Sequence, residues 1–110
     1  MALTETQLDW LAEQAEWKVD HTKLHPYQRH GEILDVNPST SLDRLIADHD
    51  GWMTKHSIWY LVRRSRGGDG QLHWTAEMWG GHLDAEAWLD ADTPEAALAE
   101  AFYHARGGPQ

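Results

Sequence analysis

The sequence predicts a single α+β domain spanning residues 1–110, with two or three helices packed on a three-stranded antiparallel meander. Two observations carry this reading. Two runs of alternating apolar and polar residues, Ser57 to Arg64 and Leu72 to Trp79, flank the turn Arg66-Gly67-Gly68-Asp69-Gly70, the arrangement of a hairpin. Segments of helical period lie on either side of them, and the last is opened by Thr93-Pro94-Glu95.

The elements follow in order. From Leu3 to Trp17 good helix formers dominate, and Leu8, Leu11, Ala12 and Ala15 recur at helical spacing, with Thr4 or Thr6 able to cap the start. Residues 18–37 hold no sustained period and are punctuated by Pro26 and Gly31, so they read as an irregular connection with a short strand at Glu32 to Val36. Ser39, Thr40 and Ser41 offer caps for a second helix carrying Leu42, Leu45, Ile46 and His49, which Gly51 can close. In the first long strand Ile58, Tyr60 and Val62 share one face and Trp59 and Leu61 the other. Its partner offers Leu72, Trp74, Ala76 and Met78 as the core face, and Trp59 and Trp74 are expected to meet across the hairpin or to pack on helices. A third strand is expected near Glu86 to Ala91. The final helix, to Arg106, presents Leu98, Ala101, Phe102 and Ala105, a mostly small stripe suited to lying close on a sheet.

Composition narrows function. The chain has 110 residues, 41% apolar and 25% charged, with seven tryptophans, which is far too much large apolar surface for a disordered chain. It has no cysteine, which excludes thiol chemistry and disulfides and fits a reducing compartment, the host cytoplasm. No apolar run approaches a membrane span, and the residues after Met1 do not resemble a secretory leader. The formal charge of −9 repels nucleic acid and anionic membrane, so neither is expected as a direct ligand. Full protonation of the eight histidines would bring it to −1, so an electrostatic partner should bind more weakly below about pH 6.

The motifs Trp74-Thr75-Ala76-Glu77 and Ala91-Asp92-Thr93-Pro94-Glu95-Ala96-Ala97-Leu98, within residues 57–106, resemble two related groups. These are the phage "ABA sandwich" type of domain and the HicB-like antitoxin module, in which a meander runs into a helix starting Thr-Pro-Glu. The resemblance implies a small binding scaffold of phage or mobile-element origin, with no catalytic residues to carry over. The segment of about fifty residues ahead of the meander, and the lack of a DNA-binding segment after the helix, depart from the antitoxin pattern. An operator-binding role is therefore not expected.

Three constellations could carry chemistry. His21, His25, His30 and Glu32 could ligate a metal, but they fall in a segment without helical period, and no metal or other cofactor is expected. Asp48, His49, Asp50 and His56, or His82 with Asp84, supply acid–base groups, but no motif places them in a cleft and the protein is read as no enzyme. Charge segregation is the most informative of the three. Glu5, Asp9, Glu13, Glu16 and Asp20 form one acidic stripe if the first helix continues through them, and residues 67–105 hold eight acids with no Lys or Arg.

The function expected is that of a small acidic, non-enzymatic binding protein. It would dock on the basic nucleic-acid-binding site of a defence protein and obstruct it, as phage anti-CRISPR and anti-restriction inhibitors do. Glu5, Asp9, Glu13 and Glu16 form the first patch, Asp90, Asp92 and Glu95 the second, and Trp10 and Trp17 are apolar anchors. The chain would act as a monomer or homodimer. The alternatives are an antitoxin-like module binding a cognate toxin and a metal-dependent enzyme using His21 to Glu32.

Overall fold

The computed structural model describes residues 3–66, 68–81 and 83–109, and over residues 84–90 its backbone alone. The fold is α+β, and the described residues form three α-helices and two three-stranded antiparallel sheets. Thr4 caps α1 (Glu5–Gln14) in a reciprocal box: its Oγ1 accepts from the Gln7 backbone N–H, while the Gln7 side chain accepts from the Thr4 N–H. The helix stops sooner than its composition suggests. Glu16 adopts a left-handed φ of 70°, and the chain turns there to send Trp17 into the interior.

Residues 18–37, expected to be largely irregular, form a small sheet of β1 (Lys18–Val19), β2 (Tyr27–Arg29) and β3 (Glu32–Leu34), in order β1-β2-β3. Strands this short leave no readable period. The sheet is held by its hairpin and by burial: His30 and Gly31 both take positive φ, as a two-residue primed turn requires. Tyr27 packs with Ala12, Ala15 and Trp17 in a second core of its own, flanked by Val19 and Leu34.

A single 3₁₀ turn (Pro38–Thr40) leads to α2 (Leu42–His56), capped by Ser41 and closed by Ser57 in the left-handed conformation. Gly51 does not end this helix, contrary to expectation. Trp52 packs against the main core and Met53 is buried in it, so tertiary contacts carry the helix through the glycine. A Cβ at Gly51 would meet nothing within 4 Å. Gly51→Ala is therefore expected to stabilise the protein by about 0.5–1 kcal/mol, read as a shift in the urea midpoint at unchanged slope.

The second sheet, β4 (Ile58–Arg66), β5 (Leu72–Gly80) and β6 (Leu83–Ala91), is the expected meander. β4 and β5 pair without interruption from Ile58↔Gly80 to Arg66↔Leu72. Gly80 and Gly81 turn into β6 at positive φ, with the Ser57 and His56 carbonyls lying where a Cβ would go, so this corner has no room for a side chain.

α3 (Pro94–Ala105), capped by Thr93 with Pro94 in its first turn, lies on this sheet, and α1 and α2 pack on its other side. Its small residues permit that double burial: Ala97, Leu98, Ala99, Ala101, Phe102 and Ala105 are all interior and join Leu11, Leu45, Met53, Ile58, Ala76 and Met78 in the main core.

Three expectations about the sheet need correction. Ala76 and Met78 face the core as expected and Trp74 packs half-buried against it, but Leu72 is 50% exposed. The outer half of the β4–β5 hairpin lies beyond the cover of the helices. Trp59 and Trp74 do not meet, since Trp59 stands opposite Trp79 and Trp74 opposite Arg64, on the other face. Trp59, placed in the core by the sequence reading, is 65% exposed. At the ends of the third strand Ala91 is buried in the main core and Leu83 packs against it, while the side chains of residues 84–90 lie outside the described residues.

Candidate partner-binding site

Contacts along α1 and α3 pair the two helices in the same direction. Leu3 and Leu8 share a cleft with Ala96 and Ala99, Trp10 meets the Tyr103 ring edge-on at 5.2 Å, and the Gln14 carbonyl accepts from Arg106. Their N-termini therefore lie at one end of the molecule, joined there by the 3₁₀ turn. The cleft between them, about 160 Å³, is walled by Leu3, Leu8, Ala96 and Ala99, with Thr40, Thr93 and Glu95 at its polar edge. Glu5, exposed, opens α1 between Leu3 and Leu8 in the chain, and Asp92, exposed, directly precedes Thr93. A second groove, about 410 Å³, shares Leu8 and Thr40 with the first and is lined by Glu5, His21, Tyr27, Asp35 and Val36. Acids at a helix start also favour the helix, so Glu5 and Glu95 serve local stability as well.

The predicted stripe along α1 is broken. Asp9 turns inward: Oδ1 accepts from the Tyr27 hydroxyl at 2.7 Å and from Asn37 Nδ2 at 2.9 Å, and Oδ2 lies 2.6 Å from His21 Nε2. Burial, then the bond to Asp9, pushes the Tyr27 hydroxyl upward, and the bond to Asp9 raises His21, helped by the charges of Asp9, Glu5 and Asp20. Glu13 remains exposed on the helix, while Glu16 lies past its end and pairs with His30 at 3.3 Å. The stripe required the helix to reach Asp20, and it ends at Gln14. Asp90 lies outside the residues whose side chains are described.

The two tryptophans of the first segment differ in exposure. Trp10 packs half-buried against the main core. Trp17 is 2% exposed; its Nε1 donates to Asp48 Oδ2 at 2.9 Å, and the Arg29 guanidinium lies 4.3 Å from its ring centroid. Arg29 also donates to Asp48 Oδ1, to the Ala15 carbonyl and to Glu32, which accepts from Arg44 as well. Ring, two arginines and two carboxylates lock α1, the small sheet and α2 together. As an apolar anchor Trp17 is thus corrected to a structural residue, while Trp10 packs on Tyr103 with part of its ring left exposed. Among the described residues the exposed tryptophans, Trp59 and Trp79, lie on the sheet, where alternation alone could not say which face the helices cover.

The histidine constellations do not assemble as the sequence suggested. His21 pairs with Asp9, His25 with Asp35, His30 with Glu16, and Glu32 with arginines. Among the described residues Glu5, Asp9 and His21 do place ligand-type atoms within 4.8 Å of one another, in the arrangement of an ion pair. Asp48 is taken up by Trp17 and Arg29, and His49 is sealed against Phe102 with its Nδ1 accepting from Arg106 at 2.8 Å. His82 and the Asp84 side chain lie outside the described residues. No helix is long and apolar enough to cross a membrane among the described residues. No family model, curated protein or solved structure matches the chain.

Proposed function

We propose that this is a non-enzymatic binding protein whose acidic, helix-starting end docks on a basic, nucleic-acid-binding surface of another protein and keeps nucleic acid away from it. One observation carries the reading: acids from two distant segments come to one end of the molecule, Glu95 of α3 lining the apolar cleft and Glu5 of α1 lining the adjoining groove that shares Leu8 and Thr40 with it, with exposed Asp92 next to the cleft residue Thr93 in the chain. Apolar walls with an acidic rim suit a side chain such as arginine or lysine, whose stem is apolar and whose head is charged. Phage and mobile-element inhibitors of host defence proteins, anti-CRISPR proteins among them, work by this kind of obstruction. The site needs no cofactor, and its place of action would be the host cytoplasm.

The test is the triple variant Glu5→Lys, Asp92→Lys, Glu95→Lys. The variant should stay folded, with the parent's circular dichroism spectrum and a melting temperature lower by roughly 5–15 °C, because each lost helix-end interaction is worth about 0.3–1 kcal/mol. Affinity capture from native-host extract should retain a nucleic-acid-binding protein on the parent chain at low salt and release it at high salt, and the triple variant should retain none. Equal retention by both chains, or retention insensitive to salt, rules the reading out. A small basic toxin as the retained partner would favour the antitoxin-like alternative instead.

A further inference from the structure

We propose that β4 is a self-association edge, through which a second copy of this chain adds antiparallel to form a continuous six-stranded sheet. In the order β4-β5-β6 the two outer strands are treated differently. The β5–β6 ladder has two register irregularities, and such bulges discourage further pairing at that side. β4 is paired evenly with β5 over nine residues, contains no proline, and among the described residues no backbone group of another element bonds its outer edge from Trp59 to Arg66. A straight, regular edge of this length is an open template for another strand.

The second copy is singled out as occupant because the edge is self-complementary. The inner face of its far half carries Arg64 and Arg66, exposed where the hairpin outruns the helices, and neither meets a carboxylate among the described residues. Beside its near half a groove of about 410 Å³ opens between β4 and α2, lined by Met53, Thr54, Ser57, Tyr60 and the exposed acid Asp50. A two-fold axis at Val62, the midpoint of the strand, pairs the whole of β4 and sets Arg64 of the second copy beside Tyr60 and Arg66 of the second copy beside Ile58. Each copy's arginines then lie along the groove where the other presents Asp50, and the antiparallel sense keeps the two Arg64 side chains about 13 Å apart along the strands. On the outer face the same register puts Leu61 of each copy opposite Arg63 of the other.

Sedimentation equilibrium across a concentration series is the test. The wild type should show a monomer–dimer equilibrium. Leu61→Lys, a change at an exposed position beside the chain's own Glu77, should retain the circular dichroism spectrum and melting temperature, yet weaken dimerisation at least about tenfold by facing Arg63 of the second copy with like charge. Adding Arg63→Glu to that variant should restore the dimer, since the opposed charges then attract. A wild type monomeric at every concentration overturns the proposal. So does a dimer indifferent to Leu61→Lys, or one that the second substitution fails to restore.

Discussion

Trp17→Ala is expected to cost about 3–5 kcal/mol of folding stability, a large fraction of what a domain of this size possesses. The ring is 2% exposed and fills the second core between Ala12, Ala15 and Tyr27. Its removal leaves a cavity and also takes the indole N–H from Asp48, whose side chain is 7% exposed, and the ring from beneath Arg29. Trp17→Phe separates these effects. It keeps much of the packing and loses the N–H, while Arg29 still satisfies Asp48 Oδ1, so a smaller cost of about 1–3 kcal/mol is expected. Urea unfolding of both variants is the measurement. A solvent-facing anchor for a partner would lose binding at unchanged urea midpoint; here the midpoint itself should fall, and a parent-like Trp17→Ala curve would sink the assignment.

Trp17 also shows where the sequence stopped being informative. Its heptad spacing from Trp10 is real, but the spacing has meaning only while the helix continues, and α1 ends at Gln14 with Glu16 turned left-handed. No glycine marks that turn. It is imposed from outside, by the burial of Trp17 and the Arg29 bond to the Ala15 carbonyl. The same limit explains Gly51, where local propensity argued for an end and the burial of Met53 overrode it. α3 and the β4–β5 hairpin were legible because their signals are local: Thr93-Pro94-Glu95 at a helix start, and a glycine-rich turn between alternating strands. The small sheet was not, since strands of two or three residues exist only through Tyr27 burial and the His30-Gly31 turn. Of the acidic residues, their segregation along the chain was visible, and with it Glu5, Asp92 and Glu95. That Asp9 would be consumed by Tyr27, Asn37 and His21 was not, because those partners lie 12 or more residues away.

The main core should be acid-labile through His49. This imidazole is 1% exposed, stacked on Phe102 at a centroid distance of 4.5 Å, and hydrogen-bonded through Nδ1 to Arg106. Burial, then the charges of Arg106 and Arg29, press its pKa down to about 3. In the unfolded chain it titrates near 6.5. The folded state therefore holds the neutral form where the unfolded state takes up a proton. The resulting stability is complete above about pH 6.5 and is lost as pH falls from there toward 3, at up to about 1.4 kcal/mol per pH unit. His21 has the opposite sign. Its pKa is raised, so its contribution is present below 6.5 and fades as pH rises past the raised value; in an exposed group it is the smaller effect. His49→Gln supplies an uncharged acceptor that does not titrate, so the variant starts from lower stability but should lose less of it between pH 6.5 and about 4; the carboxylates that protonate toward the lower end do so in both proteins and cancel in the comparison. Urea midpoints measured across that interval should converge as pH falls. Parallel curves for parent and variant would mean that His49 is not the group that makes this core sensitive to acid.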